Sequence, residues 1–116
     1  MFQITSRHIE ALEAQQAVVF AVRMAAHLRE VSPDEVAGLD DAALRSLVER
    51  IRAIGQEWNI VEEPHVERLI ELFVGYGELR QSPRPEWLDE IVTFPGRPGE
   101  QILRMIEDEL FFGGNS

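Results

Sequence analysis

Apolar residues in this chain recur at steps of three and four, and nowhere do they alternate with polar ones over a run bounded by hairpin turns. That spacing lines up side chains on one face of an α-helix and does not suit a half-buried strand, whose period is two. The clearest case is LDDAALRSLVERIRAIG, residues 39–55. Leu44, Leu47, Val48, Ile51 and Ile54 form its stripe, Asp40 or Asp41 supplies an N-cap, and Gly55 stands near its C-terminus. Arg45, Glu49, Arg50 and Arg52 fill the wet side, where Arg45 and Glu49 are spaced to pair one turn apart. NIV at 59–61 is too short to carry a sheet. The expected fold class is all-α.

The same grammar repeats along the chain. A first helix is expected over about 6–30, capped by Thr5 or Ser6, with Ile9, Leu12, Gln16, Val19, Phe20, Met24 and Leu28 on one face. VSPDEVAG reads as one short helical turn, with Ser32 as cap, Pro33 at the first helical position and Gly38 free to turn left-handed at its end. A further helix over roughly 62–79 carries Val66, Leu69, Ile70 and Phe73 on one face, while Leu72, Val74 and Tyr76 point elsewhere. A helix apolar on more than one side is buried by several neighbours, so this one is expected to be central. There Gly75 would permit close approach of another helix and Gly77 would end the helix. Pro85 starts a short helix through about Val92, and Ile102, Leu103, Ile106 and Leu110 mark a last one before the frayed tail 112–116. The proline–glycine joints are only a few residues long, so 1–116 reads as one compact bundle of about five helices, with an ordered core of about 5–111.

Composition narrows the partners. A chain of 116 residues with 45% hydrophobic and 28% charged residues belongs to the globular class. Its 21 acids face 11 basic residues, all arginine, for a net charge of −10. Such a field repels phosphate backbones and anionic lipid, so neither nucleic acid nor a membrane surface is an expected partner. Residues 1–58 hold 6 Arg and 9 acids, residues 59–116 hold 5 Arg and 12 acids, and a basic protein partner would favour the second half. The absence of cysteine removes disulfides, thiolate metal sites and thiol nucleophiles. MFQITSRHIEALEAQQ has no basic region followed by an apolar core, so a cytoplasmic protein is the expectation. LIELFVGYG, residues 69–77, is the most apolar stretch, yet Glu71 interrupts it and it is far shorter than the ~20 residues that span a bilayer.

Catalytic and metal chemistry find little purchase. His8, His27 and His65 form neither HExxH nor an i, i+4 pair. His27 is expected to hydrogen-bond or pack near the end of the first helix, and His65 to be exposed. Glu62–Glu63, Asp89–Glu90 and Glu107–Asp108–Glu109 lack the spacing of a calcium loop and read as solvated faces. GYG and PGRPG do not follow a strand to open a helix, as a phosphate cradle requires. Neither metal nor cofactor is expected, and the reading is non-enzymatic. The aromatics say more. Trp58 and Trp87 sit in or beside joints, where a large ring either plugs a gap between helices or anchors a protein contact. Phe111 and Phe112 are adjacent on a helix and cannot both face one core. Tyr76, if buried, needs a partner for its hydroxyl and, if exposed, belongs to a contact surface. Trp58, Tyr76, Trp87, Phe111 and Phe112 are therefore the candidate protein-binding residues.

RMAAHLRE at 23–30, GQEWNIVEEPHVERLIELFVGYG at 55–77 and PRPEWLDEIV at 83–92 together resemble, in order and spacing over roughly 3–105, a family of small helical bacterial proteins. Members are encoded in type VI secretion clusters beside spike-tip proteins, toxic effectors and effector adaptors or chaperones. Arg23, Met24, His27, Leu28 and Arg29 match its first motif; Pro85, Trp87, Glu90 and Ile91 match its last. EWNI stands in place of its tyrosine–glycine–isoleucine turn, and VSPDEV in place of a phenylalanine–proline joint. The resemblance implies a cytoplasmic co-chaperone or adaptor that binds an effector, an effector adaptor or a spike component. Arg23 and Arg29 would tie neighbouring helices through acids. The alternative is an immunity protein, whose negative charge would suit a cationic toxin. A homodimer would suit a small acidic bundle with aromatics to spare, although no coiled-coil seam marks one.

Overall fold

The computed structural model describes residues 6–113, with side chains from residue 15 onward. Among these residues there are six α-helices and no strand: α1 (Ser6–Val31), α2 (Pro33–Val36), α3 (Asp41–Glu57), α4 (Glu63–Gly75), α5 (Glu86–Thr93) and α6 (Gly99–Phe112). A 3-10 turn at Gly77–Arg80 follows α4. The chain is thus all-α, with five helices of eight residues or more and the single turn of α2.

Caps and joints explain the element boundaries. Asp40 begins α3 by accepting a hydrogen bond from the Ala43 amide at 2.7 Å, one of the free donors of the first turn. The same helix ends in a Schellman motif. Asn59 takes the left-handed region at φ 63°, its amide donates to the Gln56 carbonyl at 3.2 Å, and the Ile60 amide reaches back to the Gly55 carbonyl at 2.7 Å. Asparagine tolerates that conformation better than other non-glycine residues. Ile60 is thereby delivered into the core, 1% exposed. Pro33 and Pro64 sit in the first turns of α2 and α4, where a missing amide hydrogen loses no intrahelical bond.

α4 occupies the middle. It buries Val66, Leu69, Ile70, Leu72, Phe73 and Val74 and packs against α2, α3, α6 and the 3-10 turn. Full burial of side chains this size stabilises by about 1.5–3 kcal/mol each, so α4 is the principal source of cohesion. No polar or charged residue is buried among the described residues, so an apolar centre is clamped by ion pairs at its edge. Arg23 bonds Glu63 and lies 3.8 Å from Glu67, and His27 Nε2 lies 2.8 Å from Glu71, so α1 runs parallel to α4. The hydrogen bond to Glu63 holds the Arg23 guanidinium above its ordinary pKa, with desolvation opposing and the charges of Glu63 and Glu67 adding. Arg29 joins Asp41 at 3.0 Å and the Leu39 carbonyl at 2.9 Å, while Arg52 lies 5.9 Å over the Phe20 ring, so α3 runs antiparallel to α1. The expectation that Arg23 and Arg29 tie neighbouring helices is met.

Several expectations are corrected. The core stripe of α1 is Ala21, Met24, Ala25 and Leu28; Phe20 is half-buried, and Gln16 and Val19 face outward. Thr5 lies outside the described residues, as do the side chains of Ile9 and Leu12. α4 stops at Gly75 instead of running to 79, because Tyr76 swings to φ −124°, ψ 97°. Leu79 is nevertheless buried, in the 3-10 turn, so the apolar spacing continues past the end of the helix. A Cβ on Gly75 would meet nothing within 4 Å, and Gly77 opens the 3-10 turn. Close approaches belong instead to Gly55 of α3, where a Cβ would lie 3.1 Å from Leu69 Cδ2 of α4, and to Gly99 at the start of α6, where it would overlap the Asn59 carbonyl and come within 2.9 Å of Ile60 Cα. Gly38 is not left-handed; among the described glycines that conformation belongs to Gly96, at φ 83°. Arg45 donates to the Asp41 carbonyl at 3.3 Å in place of the expected pair with Glu49. His65 is half-buried, its Nδ1 3.9 Å from Glu62. Phe112 belongs to α6 and not to the tail, of which 114–116 lie outside the described residues.

Candidate protein-binding site

Three of the five candidate aromatics meet at one pole. Arg68 joins Glu107 and, further along both helices, Tyr76 meets Phe111, so α4 and α6 run parallel and their C-terminal ends lie together. The Tyr76 amide donates to the Leu72 carbonyl at 2.8 Å and closes α4. Its extended backbone carries the ring to Phe111, with centroids 6.0 Å apart and planes at 54°. Phe112 follows edge-on, 6.5 Å from Phe111 at 84°. Such tilted and edge contacts favour aromatic pairs by about 0.5–1.5 kcal/mol beyond burial. Tyr76 is half-buried, Phe111 is 44% exposed and Phe112 77% exposed. The Arg68 guanidinium lies 5.9 Å over Phe111.

Charge at this pole runs against helix electrostatics. Glu107, Asp108 and Glu109 stand near the C-terminal end of α6, whose last turn carries no basic residue. That end already bears about half a negative charge from the peptide dipoles, felt within the last turn, so the Glu109 carboxylate there costs about 0.3–1 kcal/mol. Arg68 offsets Glu107, whereas Asp108 remains exposed and Glu109 half-exposed without an ion-pair partner among the described residues. Glu78, exposed two residues beyond Tyr76, adds a further acid. The result is an apolar aromatic cluster with an acidic surround.

The two tryptophans lie elsewhere. Trp58 is 7% exposed, 6.0 Å from the Phe73 centroid, with the Arg84 guanidinium 5.9 Å from its ring. It plugs the α3–α4 joint and forms part of an open cavity of about 1090 Å³ between α3 and residues 79–89. Leu47, Ile54, Leu79 and Leu88 supply its apolar lining, and Arg50, Arg80 and Arg84 balance Glu57, Glu86 and Asp89 there. Trp87 is half-buried against the core. Arg68, Asp108 and Glu109 are the pole residues that the apolar pattern alone misses. The available signal was three successive acids at the negative end of a helix.

Among the described residues, no group of three or more His, Asp or Glu side chains is placed to hold a metal ion, and no helix is long and apolar enough to cross a membrane. The chain matches no protein-family model, no curated protein and no solved structure.

Proposed function

We propose that this protein is a non-enzymatic accessory of type VI secretion that acts in the bacterial cytoplasm and binds an effector, an effector adaptor or a spike component. The binding part of this reading rests on one observation, the Tyr76–Phe111–Phe112 cluster set among Glu78, Asp108 and Glu109. Exposed aromatic rings are the side chains that most often anchor protein interfaces. A surround of like charge selects a partner with an apolar anchor flanked by arginine or lysine and speeds its approach. Binding of such a partner would also relieve the unfavourable Glu109 carboxylate in the last turn of α6. The secretion part rests on the order and spacing of the three motifs at 23–30, 55–77 and 83–92.

The test is recovery of tagged protein from its native cells under gentle conditions. The proposal expects an effector, adaptor or spike component to remain attached, and it fails if none is ever retained. The net charge of −10 also suits neutralisation of a cationic toxin. Deletion separates the two readings: an accessory's loss abolishes toxin delivery, whereas an immunity protein's loss leaves cells sensitive to the neighbouring toxin.

A further inference from the structure

The open cavity beside Trp58 is bounded on one side by a seam of α3 with heptad spacing. Ala43, Leu47, Arg50, Ile54 and Glu57 follow one another at steps of four, three, four and three, the spacing at which a second helix packs lengthwise on a first. This seam is distinct from the buried stripe of α3, which is Leu44, Val48, Ile51 and Gly55. Leu47 and Ile54 lean on the core yet are only half-buried, and they give the cavity its apolar floor on this side. Around that floor Arg84 pairs with Asp89 at 3.5 Å, whereas the side chains of Arg50, Arg80, Glu57 and Glu86 make no hydrogen bond or ion pair among the described residues. The unpaired charges are sorted by sign. Arg50 and Glu57 stand seven residues apart on α3, about 10 Å along its axis. α4 runs antiparallel to α3, so Arg80, just beyond its end, lies towards the Arg50 end of the cavity. Arg84 reaches the Trp58 ring at 5.9 Å, at the Glu57 end, and Glu86 follows it by two residues. One end is therefore cationic and the other, where Asp89 neutralises Arg84, is anionic.

The geometry points to a docking site for an amphipathic helix of another protein, one that carries an acid and, one heptad away, a base, with apolar side chains between them. The seam selects a helix, because a helix presents anchors at the same steps of three and four. Charge selects its sequence. An acid against Arg50 and Arg80 and a base against Glu57 and Glu86 each form charge-assisted hydrogen bonds. A helix of uniform sign leaves one end of the cavity facing like charge. The site shares no residue with the Tyr76, Phe111 and Phe112 cluster, so it goes beyond the function proposed above and gives the protein a second partner of different chemistry.

Three helical peptides with blocked termini test this by titration calorimetry. They share leucines between two charged positions one heptad apart, and those positions hold Glu and Arg, Glu and Glu, or Arg and Arg. The Glu/Arg peptide should bind one to one and at least about tenfold tighter than either of the others. The Arg/Arg peptide measures what the −10 field attracts by itself, so its weaker binding places the preference in the cavity. Arg50→Glu should weaken the Glu/Arg peptide at least about tenfold and make Arg/Arg the preferred one. Arg50 is exposed, so that variant should keep the helical circular dichroism of wild type. Arg45→Glu makes the same charge change on the same helix outside the cavity and should leave the order of the three peptides unaltered. The inference is overturned if Arg/Arg binds wild type as tightly as Glu/Arg, if Arg50→Glu acts no differently from Arg45→Glu, or if no peptide binds. Should no peptide bind while Arg50→Glu abolishes self-association in sedimentation equilibrium, the occupant is a second copy of this chain and the inference is likewise overturned.

Discussion

Gly99→Ala changes one hydrogen to a methyl group at the point where α6 meets the joint after α3. The new Cβ would overlap the Asn59 carbonyl and approach Ile60 Cα to 2.9 Å. Both neighbours are backbone, and Asn59 is fixed by the Schellman motif, so neither can rotate aside. Overpacking of this kind costs about 1–3 kcal/mol. The gain from replacing a helical glycine is at most about 1 kcal/mol and is smaller at a first helical position. A net loss of about 1–2 kcal/mol follows from these two magnitudes. For a domain near this size that is a fall in Tm on the order of 5–12 °C, read by thermal circular dichroism. Gly38→Ala and Gly75→Ala make the same chemical change where a Cβ meets nothing within 4 Å, and neither position has positive φ. Those variants should be unchanged or more stable by about 0.4–1 kcal/mol. If Gly99→Ala is as stable as they are, the close packing of α6 on the Asn59–Ile60 joint is refuted.

Further outcomes follow from the same geometry. Asn59→Val should lose about 1–2 kcal/mol in urea unfolding because a β-branched residue resists φ 63°, while Asn59→Gly should stay within a few tenths. Asp40→Ala should lose about 1 kcal/mol through the vacated Ala43 amide, measured the same way. Leu69→Ala, at a fully buried position of α4, should lose about 2–5 kcal/mol. Asp108→Arg, more than one turn back from the end of α6, should leave stability within about 0.3 kcal/mol. The same variant should weaken retention of the native partner in quantitative recovery.

What could be read from the sequence was whatever is written in spacing and caps. The α3 stripe and the central place of α4 come from local periodicity and the structure places them as read, while of the two acids that could cap α3 it selects Asp40. α1 went astray because alanine packs as well as larger side chains where helices approach closely. The stripe of large residues through Phe20 therefore included the exposed Val19, while Ala21 and Ala25 did the packing. The end of α4 was hidden because burial of Leu79 continues the apolar spacing through a change of backbone conformation. Gly99 could not be singled out, since its constraint comes from a joint forty residues away. At the candidate site, Phe111 and Phe112 stood out through adjacency, but their meeting with Tyr76 depends on the parallel course of α4 and α6.

The pole joins these levels. α4 ends where Tyr76 leaves helical backbone, that extended residue carries its ring towards α6, and the apolar rings project beside Glu109, a carboxylate in the last turn that the isolated helix would disfavour. Phe112 is 77% exposed in the last position of α6, so Phe112→Ser should leave the fold intact. The most direct measurement is therefore quantitative recovery of partners from native cells with wild-type and Phe112→Ser protein side by side, at matched abundance and melting temperature. The account predicts that wild-type protein retains an effector, adaptor or spike component and that Phe112→Ser loses most of it. Equal retention by the two proteins would contradict the assignment of binding to this pole.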